Sequence, residues 1–326
     1  MKQYETIIVG AGQAGLATSY WLTRHGHEHI VLEQADRPAH VWHDERWDSF
    51  TLVTPNSANR LPGISFGDND PDGFMPRDEV AALFDRYVEQ HGLPVQCNTR
   101  GTAIEPLDEG GYRVTTNTGS MATRNVVVAT GFFQQPRIPA WAVDLPPDIT
   151  QLHSSRYRNP ESLPDGAVLV VGSAESGCQI AEELYQRGRR VYLATGSVGR
   201  VPRRYRGRDI IAWLDVVGIL DETPDKLPPG MSKFGGIPQL SGTQGGHTIN
   251  LHQFARDGVT LLGHARGVEG STIRFAPDLH ANLATGDGFE RMVLQAIDGY
   301  IAGAGIGAPP EKVPQLREGF NQPLID

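Results

Sequence analysis

The sequence has little cysteine, no long apolar run and no excess of positive charge. Its 326 residues include two cysteines, Cys97 and Cys178, far apart and in no Cys-x-x-Cys pair. That excludes a disulfide framework and a paired-thiol redox centre, and it fits a reducing cytoplasm. No stretch reaches the ~20 apolar residues of a membrane helix. The opening "MKQYETIIVG" lacks the apolar core and small-residue cleavage site of a secretory signal. The expectation is a cytoplasmic protein with no membrane partner. With 29 Lys and Arg against 38 Asp and Glu the net charge is −9, so nucleic acid is not an expected partner either.

What is present is a pattern that occurs twice. "TIIVG" (6–10) is an apolar, β-branched strand. "AGQAGLATSYWLTRHG" follows with helical apolar spacing and ends at Gly26, and "HIVLE" (29–33) is a second buried strand. Such a βαβ unit crosses over right-handed, which makes its strands parallel neighbours. Residues 77–92 predict an amphipathic helix, and 95–130 short strands ending in "NVVVATG" (125–131). A Pro-rich stretch, 136–164, reads as a domain boundary. Then "AVLVVG" (167–172), "SAESGCQIAEELYQRG" (173–188) and "RVYLAT" (190–195) repeat strand, helix and strand. Residues 221–248 read as loop, and 289–305 as a helix. The fold class expected is α/β, with two Rossmann-like dinucleotide-binding domains, 1–160 and 161–326.

The first turn, "GAGQAG", sets Gly10, Gly12 and Gly15 at the full dinucleotide spacing, around Gln13 and Ala14. The first glycine permits the tight turn, the second lets backbone approach a pyrophosphate, and the third lets helix pack on strand. The helix N-terminus then offers free N–H groups and its positive dipole end to phosphate. Glu33 ends the second strand, 23 residues after Gly10. A carboxylate there suits an adenosine ribose and repels a 2′-phosphate, so FAD or NAD is expected and NADP is not.

The second turn, "GSAESG", keeps Gly172 and Gly177 around Ser173, Ala174 and Ser176, but its middle glycine is Ala174 and an acid, Glu175, follows. An acid at a helix start is favoured by the dipole, and Glu175 is expected to point to solvent. The position matching Glu33 is the neutral Thr195, and eight arginines lie between Arg187 and Arg208. A neutral residue followed by arginines is how such a site accepts the 2′-phosphate of NADP. Arg200, Arg203 and Arg204 are the candidates; a solvated basic face is the plain alternative.

Four segments together resemble the flavin-containing monooxygenases, in particular the bacterial branch related to N-hydroxylating and Baeyer–Villiger enzymes. They are "GAGQAG" with Glu33, "VWHDERWDSFTLVTP" (41–55), "VVVATGFFQQPRIP" (126–139), and "LHSSRYRNP" (152–160) ahead of "VVGSAESG". The resemblance implies an FAD domain carrying an inserted NADPH domain, of three-layer ββα/βαβ type. It implies NADPH-dependent oxygenation of a small organic substrate by O2 through a C4a-hydroperoxyflavin. Val41, Trp42, Trp47 and Thr54 would then lie near the flavin, Thr130 and Gly131 at the chain crossover beside it, and His153, Ser154, Tyr157 and Arg158 on NADPH. Where the family has G-G-x-W, this chain has Ala39 and His40 before Val41 and Trp42, so that turn is expected to differ. The family's return to the FAD domain is missing before "NQPLID", so the expectation is a chain without the C-terminal part of that domain. A homodimer is allowed for. The alternatives are a flavin reductase or NADPH oxidase without oxygen transfer, and a non-catalytic nucleotide-binding fragment.

Three further patterns point elsewhere but lack context. Asp68, Asp70, Asp72, Gly73 and Glu79 fit calcium-loop spacing, yet no helix enters the loop and Pro71 and Pro76 lie within it. His25, His27 and His29 alternate across a helix end and a strand start. His153 and Ser154 are adjacent, which suits no nucleophile–base pair. No metal site is expected, and Cys178 is read as a packing residue.

Overall fold

A computed structural model describes residues 2–64, 70–223, 225, 238–314 and 316. Residues 224 and 226–237 of the loop read at 221–248, and Asp68 of the calcium-like pattern, lie outside the described residues. The chain divides after Arg137 rather than near residue 160. One compact unit comprises 1–50, 59–69 and 75–137; the other comprises 51–58, 70–74 and 138–326.

The first unit is built on β1 (Lys2–Val9), α1 (Gln13–Arg24), β2 (His29–Leu32), a short α2 (His40–Asp44), α3 (Arg77–His91), β3 (Val95–Gln96), β4 (Gly101–Pro106), β5 (Tyr112–Thr116) and β6 (Gly119–Val128). The six strands form one sheet in the order β3-β2-β1-β6-β5-β4. From β3 to β6 neighbours are parallel, while β6, β5 and β4 form an antiparallel extension. All four residues of β2 are buried, as expected of a parallel strand covered on both faces. Ile7, Ile30, Leu32, Val114 and Met121 form its apolar cluster. α1 lays Gly15, Leu16, Ser19 and Tyr20 inward, a stripe at helical spacing. It ends against Gly26, whose φ of +72° is the left-handed stop foreseen there.

The second unit repeats the opening with β7 (Val168–Val171), α4 (Glu175–Gln186) and β8 (Val191–Ala194). Two hairpins follow around a helix: β9 (Arg204–Tyr205) with β10 (Arg208–Asp209), α5 (Ile210–Val216), and β11 (Leu240–Ser241) with β12 (His247–Thr248). After α6 (Leu251–Arg256), β13 (Thr260–Leu262) joins β8, giving a parallel sheet in the order β13-β8-β7. β14 (Ala265–Glu269) and β15 (Thr272–Phe275) form a hairpin, and α7 (Leu279–Ala304) closes the unit. Val201, Tyr205, Ile210, Trp213, Leu240, Val293 and Ile297 make the core beneath α7. α7 starts ten residues before the expected helix. The additional turns carry Gly286 and Gly288, and Gly286 packs toward the Val198 carbonyl oxygen, 3.4 Å from where its β-carbon would stand. Among the described residues no helix is long and apolar enough to cross a membrane.

Candidate functional site: two glycine-rich turns

The two turns coincide bond for bond. Gly10 has φ +107° and donates its N–H to the Leu32 carbonyl at 2.8 Å; Gly172 has φ +104° and donates to Ala194 at 2.9 Å. An ideal β-carbon on Gly15 would lie 1.9 Å from Gly10 O, and one on Gly177 1.8 Å from Gly172 O. Only glycine fits either place, because helix and strand meet there backbone to backbone. Gly12 and Ala174 cap α1 and α4 with the same extended backbone, and neither helix has a side-chain cap. The first-turn N–H groups of both helices are thus left for another acceptor. Ala174 accommodates its methyl because its φ of −73° is ordinary for any residue.

In the first unit these parts converge. Gln13 and Ala14 are exposed at the start of α1, and no atom lies within 4 Å of where a Gly12 β-carbon would be. That room is what a pyrophosphate against the backbone requires. Glu33, half-buried at the end of β2, accepts the N–H groups of Ala11 and Ala35, each at 2.9 Å. A carboxylate has about four acceptor positions, so a ribose could share it. The Ala129 carbonyl and Thr130 Cα lie 2.5 and 3.2 Å from an ideal Gly10 β-carbon, which puts Thr130 beside the turn. Gly131 follows with φ +76°.

Ala39 takes the left-handed backbone, φ +51° and ψ +28°, where the family has glycine. Its N–H donates to the Ala11 carbonyl at 2.9 Å, which ties the start of α2 to the Gly-rich turn. Val41 and Trp42 lie half-buried on α2, with Arg46 5.2 Å over the Trp42 ring. Trp47 is 3% exposed and packed edge-on against Phe50 at 4.9 Å. Thr54 belongs to the second unit.

In the second unit two of the three expected phosphate-binding arginines, Arg200 and Arg203, are buried, whereas Arg204 is exposed. Arg200 is buried, held by Glu290 at 2.6 Å and Asp287 at 2.8 Å. Burial alone would raise the Asp287 carboxyl; the hydrogen bond from His252 and the Arg200 charge outweigh it, so the carboxyl sits below its usual range. Arg203 is 2% exposed and bonded to Val53 O at 2.7 Å and Asp209 at 2.6 Å. Both guanidinium groups are committed to partners within the protein. Arg204 is exposed and donates to the Gly245 and Gly246 carbonyls. Thr195 is buried, its hydroxyl on Leu262 O. Ser173 accepts the Gly196 N–H at 3.0 Å, and Ser176 is exposed on α4.

Tyr157 has a partner of its own within the unit. It is buried and its hydroxyl donates to Glu183 on α4 at 2.7 Å, so it docks its segment. His153 Nδ1 accepts the Ser155 N–H, Ser154 begins the same short turn, and Arg158 donates to the Ser155 and Tyr157 carbonyls. Glu175 does not lie free in solvent. Its Oε1 is buried with no hydrogen-bond partner among the described residues. Burial pushes its carboxyl up to about 7, against the opposing pull of Arg203. The Cys178 thiol donates to Ser173 O and is also pushed well up by burial, which makes it an inert packing group. His29 is bonded to Ser19 while His27 faces Glu5, so the alternating histidines diverge.

Sequence reasoning missed one cluster at this end of β8. His264, Asp278 and Asn282 surround Thr195 and Ser197, and no motif announces them.

Two units, each with a Gly-rich turn between parallel strands in 3-2-1 order, define a protein with two dinucleotide-binding folds. The chain belongs to the pyridine nucleotide-disulphide oxidoreductase family, whose model matches residues 7–208. It is 38% identical over 218 residues to an uncharacterized oxidoreductase, CzcO-like, of Geobacillus kaustophilus, covering 67% of this chain and 62% of that protein. It is 28% identical over 220 residues to indole-3-pyruvate monooxygenase YUCCA1 of Oryza sativa subsp. japonica, covering 64% and 54%. A flavin monooxygenase from Stenotrophomonas maltophilia shares the fold, with TM-score 0.64, 21% identity and coverage of 85% and 74%. The resemblance to flavin-containing monooxygenases is borne out, and the chain spans less than two thirds of the curated relatives it matches.

Proposed function

We propose that the chain is an NADPH-dependent FAD oxidoreductase of the monooxygenase type, acting with O2 on a small organic substrate. One observation carries this reading. Two turns of the same geometry end in different residues, Glu33 after the first and Thr195 after the second. The acid suits an unphosphorylated ribose, as in FAD, and the neutral residue tolerates the 2′-phosphate of NADPH.

Gly10, Gly12, Gln13, Ala14 and Gly15 would hold the FAD pyrophosphate, with Glu33 on its ribose. Gly172, Ala174, Ser176 and Gly177 would do the same for NADPH. FAD supplies the hydride acceptor and the oxygen chemistry; the protein supplies binding, orientation and exclusion of water. A sulfur-based reduction has no support in the residues, since Cys97 and Cys178 lie in different units and Cys178 is buried.

The test is to supply FAD, follow NADPH oxidation and compare it with hydrogen peroxide release. Peroxide equal to the NADPH consumed, whatever organic substrate is offered, would establish an oxidase in place of a monooxygenase. Failure to retain FAD would favour the non-catalytic alternative.

A further inference from the structure

With Arg200 and Arg203 withdrawn into the core, the second turn needs another source of positive charge. The end of β8 has one. Asn282, buried on α7, donates to Thr195 Oγ1 at 3.2 Å and Asp278 Oδ1 at 3.2 Å, and accepts from Ser197 Oγ at 3.0 Å. Asp278 also accepts the His264 backbone N–H at 2.9 Å and pairs with His264 Nδ1 at 2.7 Å. The backbone bond leads in holding the Asp278 carboxyl below its usual range, so it remains an anion facing the ring.

That pairing fixes the imidazole through Nδ1 and sets Nε2 toward Gly196. Nε2 lies 3.3 Å from where a β-carbon on Gly196 would stand, and Gly196 is bonded to Ser173 of the Gly-rich turn. Arg266, two residues past His264, is 63% exposed and 3.6 Å from Asp278. His264, Arg266 and the exposed Ser197 thus gather at the C-terminal ends of β8 and β13, where open parallel sheets bind ligands.

We propose that His264 and Arg266 select the adenosine 2′-phosphate. His264 contributes through Nε2, held by Asp278, and Arg266 through an exposed guanidinium that Asp278 engages at one nitrogen, 3.6 Å away. Asp278 and Asn282 are positioning residues. The inference rests on reading the second turn as the NADPH site.

The experiment titrates 2′,5′-ADP and 5′-ADP into the full chain by calorimetry, in the wild type, Arg266→Ala and His264→Gln. A charge-assisted hydrogen bond is worth roughly 1.5–3 kcal/mol, so each substitution should weaken 2′,5′-ADP about tenfold or more. Binding of 5′-ADP should hold within about twofold, which also reports an intact fold. Arg266 is exposed, so its variant remains informative if His264→Gln folds poorly. Arg204→Ala should leave the preference intact. A wild type that does not prefer 2′,5′-ADP overturns the NADPH reading and this inference together. A preference that survives both substitutions, or disappears with Arg204→Ala, overturns this inference alone.

Discussion

Arg203 donates an N–H of its buried guanidinium to the carbonyl of Val53, 150 residues earlier in the chain, at 2.7 Å. A second N–H goes to Asp209, whose carboxylate also caps α5 through the Ile211 N–H. Phe74 lies beneath the guanidinium, 4.8 Å from its ring centre. One side chain therefore anchors the segments 51–58 and 70–74 to the second unit. Arg203→Ala should cost about 3 kcal/mol, because it removes the charge partner of the buried Asp209 carboxylate and the donor to the part-buried Val53 carbonyl. Urea denaturation measures it. A variant as stable as the wild type would contradict this anchoring role.

Gly15→Ala and Gly177→Ala should each be destabilising by about 3 kcal/mol, the upper end for overpacking, since both clashes are with backbone. Ala174→Gly lies in the same turn as Gly177 and should change stability little. Thermal melts of the three variants make the comparison.

Glu175 should set a pH dependence. Its carboxyl titrates near 4.5 when unfolded and near 7 when folded, because burial outweighs Arg203. Between these values the folded chain holds more of the proton than the unfolded one. Stability therefore falls as pH rises from about 4.5 to about 7, and levels off above. Glu175→Gln should remove that decline, giving a chain more stable than the wild type at pH 8 and equal to it near pH 4. Denaturation midpoints at both values test it; parallel curves at every pH would refute it.

Ala39→Gly should raise stability by up to about 1 kcal/mol. An L-residue in the left-handed region costs roughly 1–2 kcal/mol, offset in part by glycine's extra freedom when unfolded. A loss above about 1 kcal/mol would mean that the buried methyl matters more than the strain.

The Gly-rich turns were legible because their constraint is local. A backbone contact between residues five apart dictates glycine at both, so Gly10 with Gly15 and Gly172 with Gly177 stand at readable spacing. Glu33 follows from the same arithmetic. The arginines were not legible, because what an arginine does depends on partners far along the chain. Arg200 finds its acid 90 residues on, at Glu290, and a cluster of basic residues in sequence need not be one in space. His264 was missed for the same reason: its partners come from α7 and the end of β8. The Ala39 turn shows a different limit. Its neighbours impose a conformation its residue type disfavours, and residue type was the only information available.

The anchoring of segment 51–58 by Arg203 also has a consequence in time. A ribosome adds roughly 5–20 residues per second, so Val53 emerges some 8–30 s before its guanidinium partner. The first unit's sheet can close once β6 is made, since β1 pairs with it directly. Residues 51–58 leave the tunnel early yet can reach their native place only when the later unit arrives. During synthesis this loop is an unclaimed tether, and folding of the chain is order-dependent there.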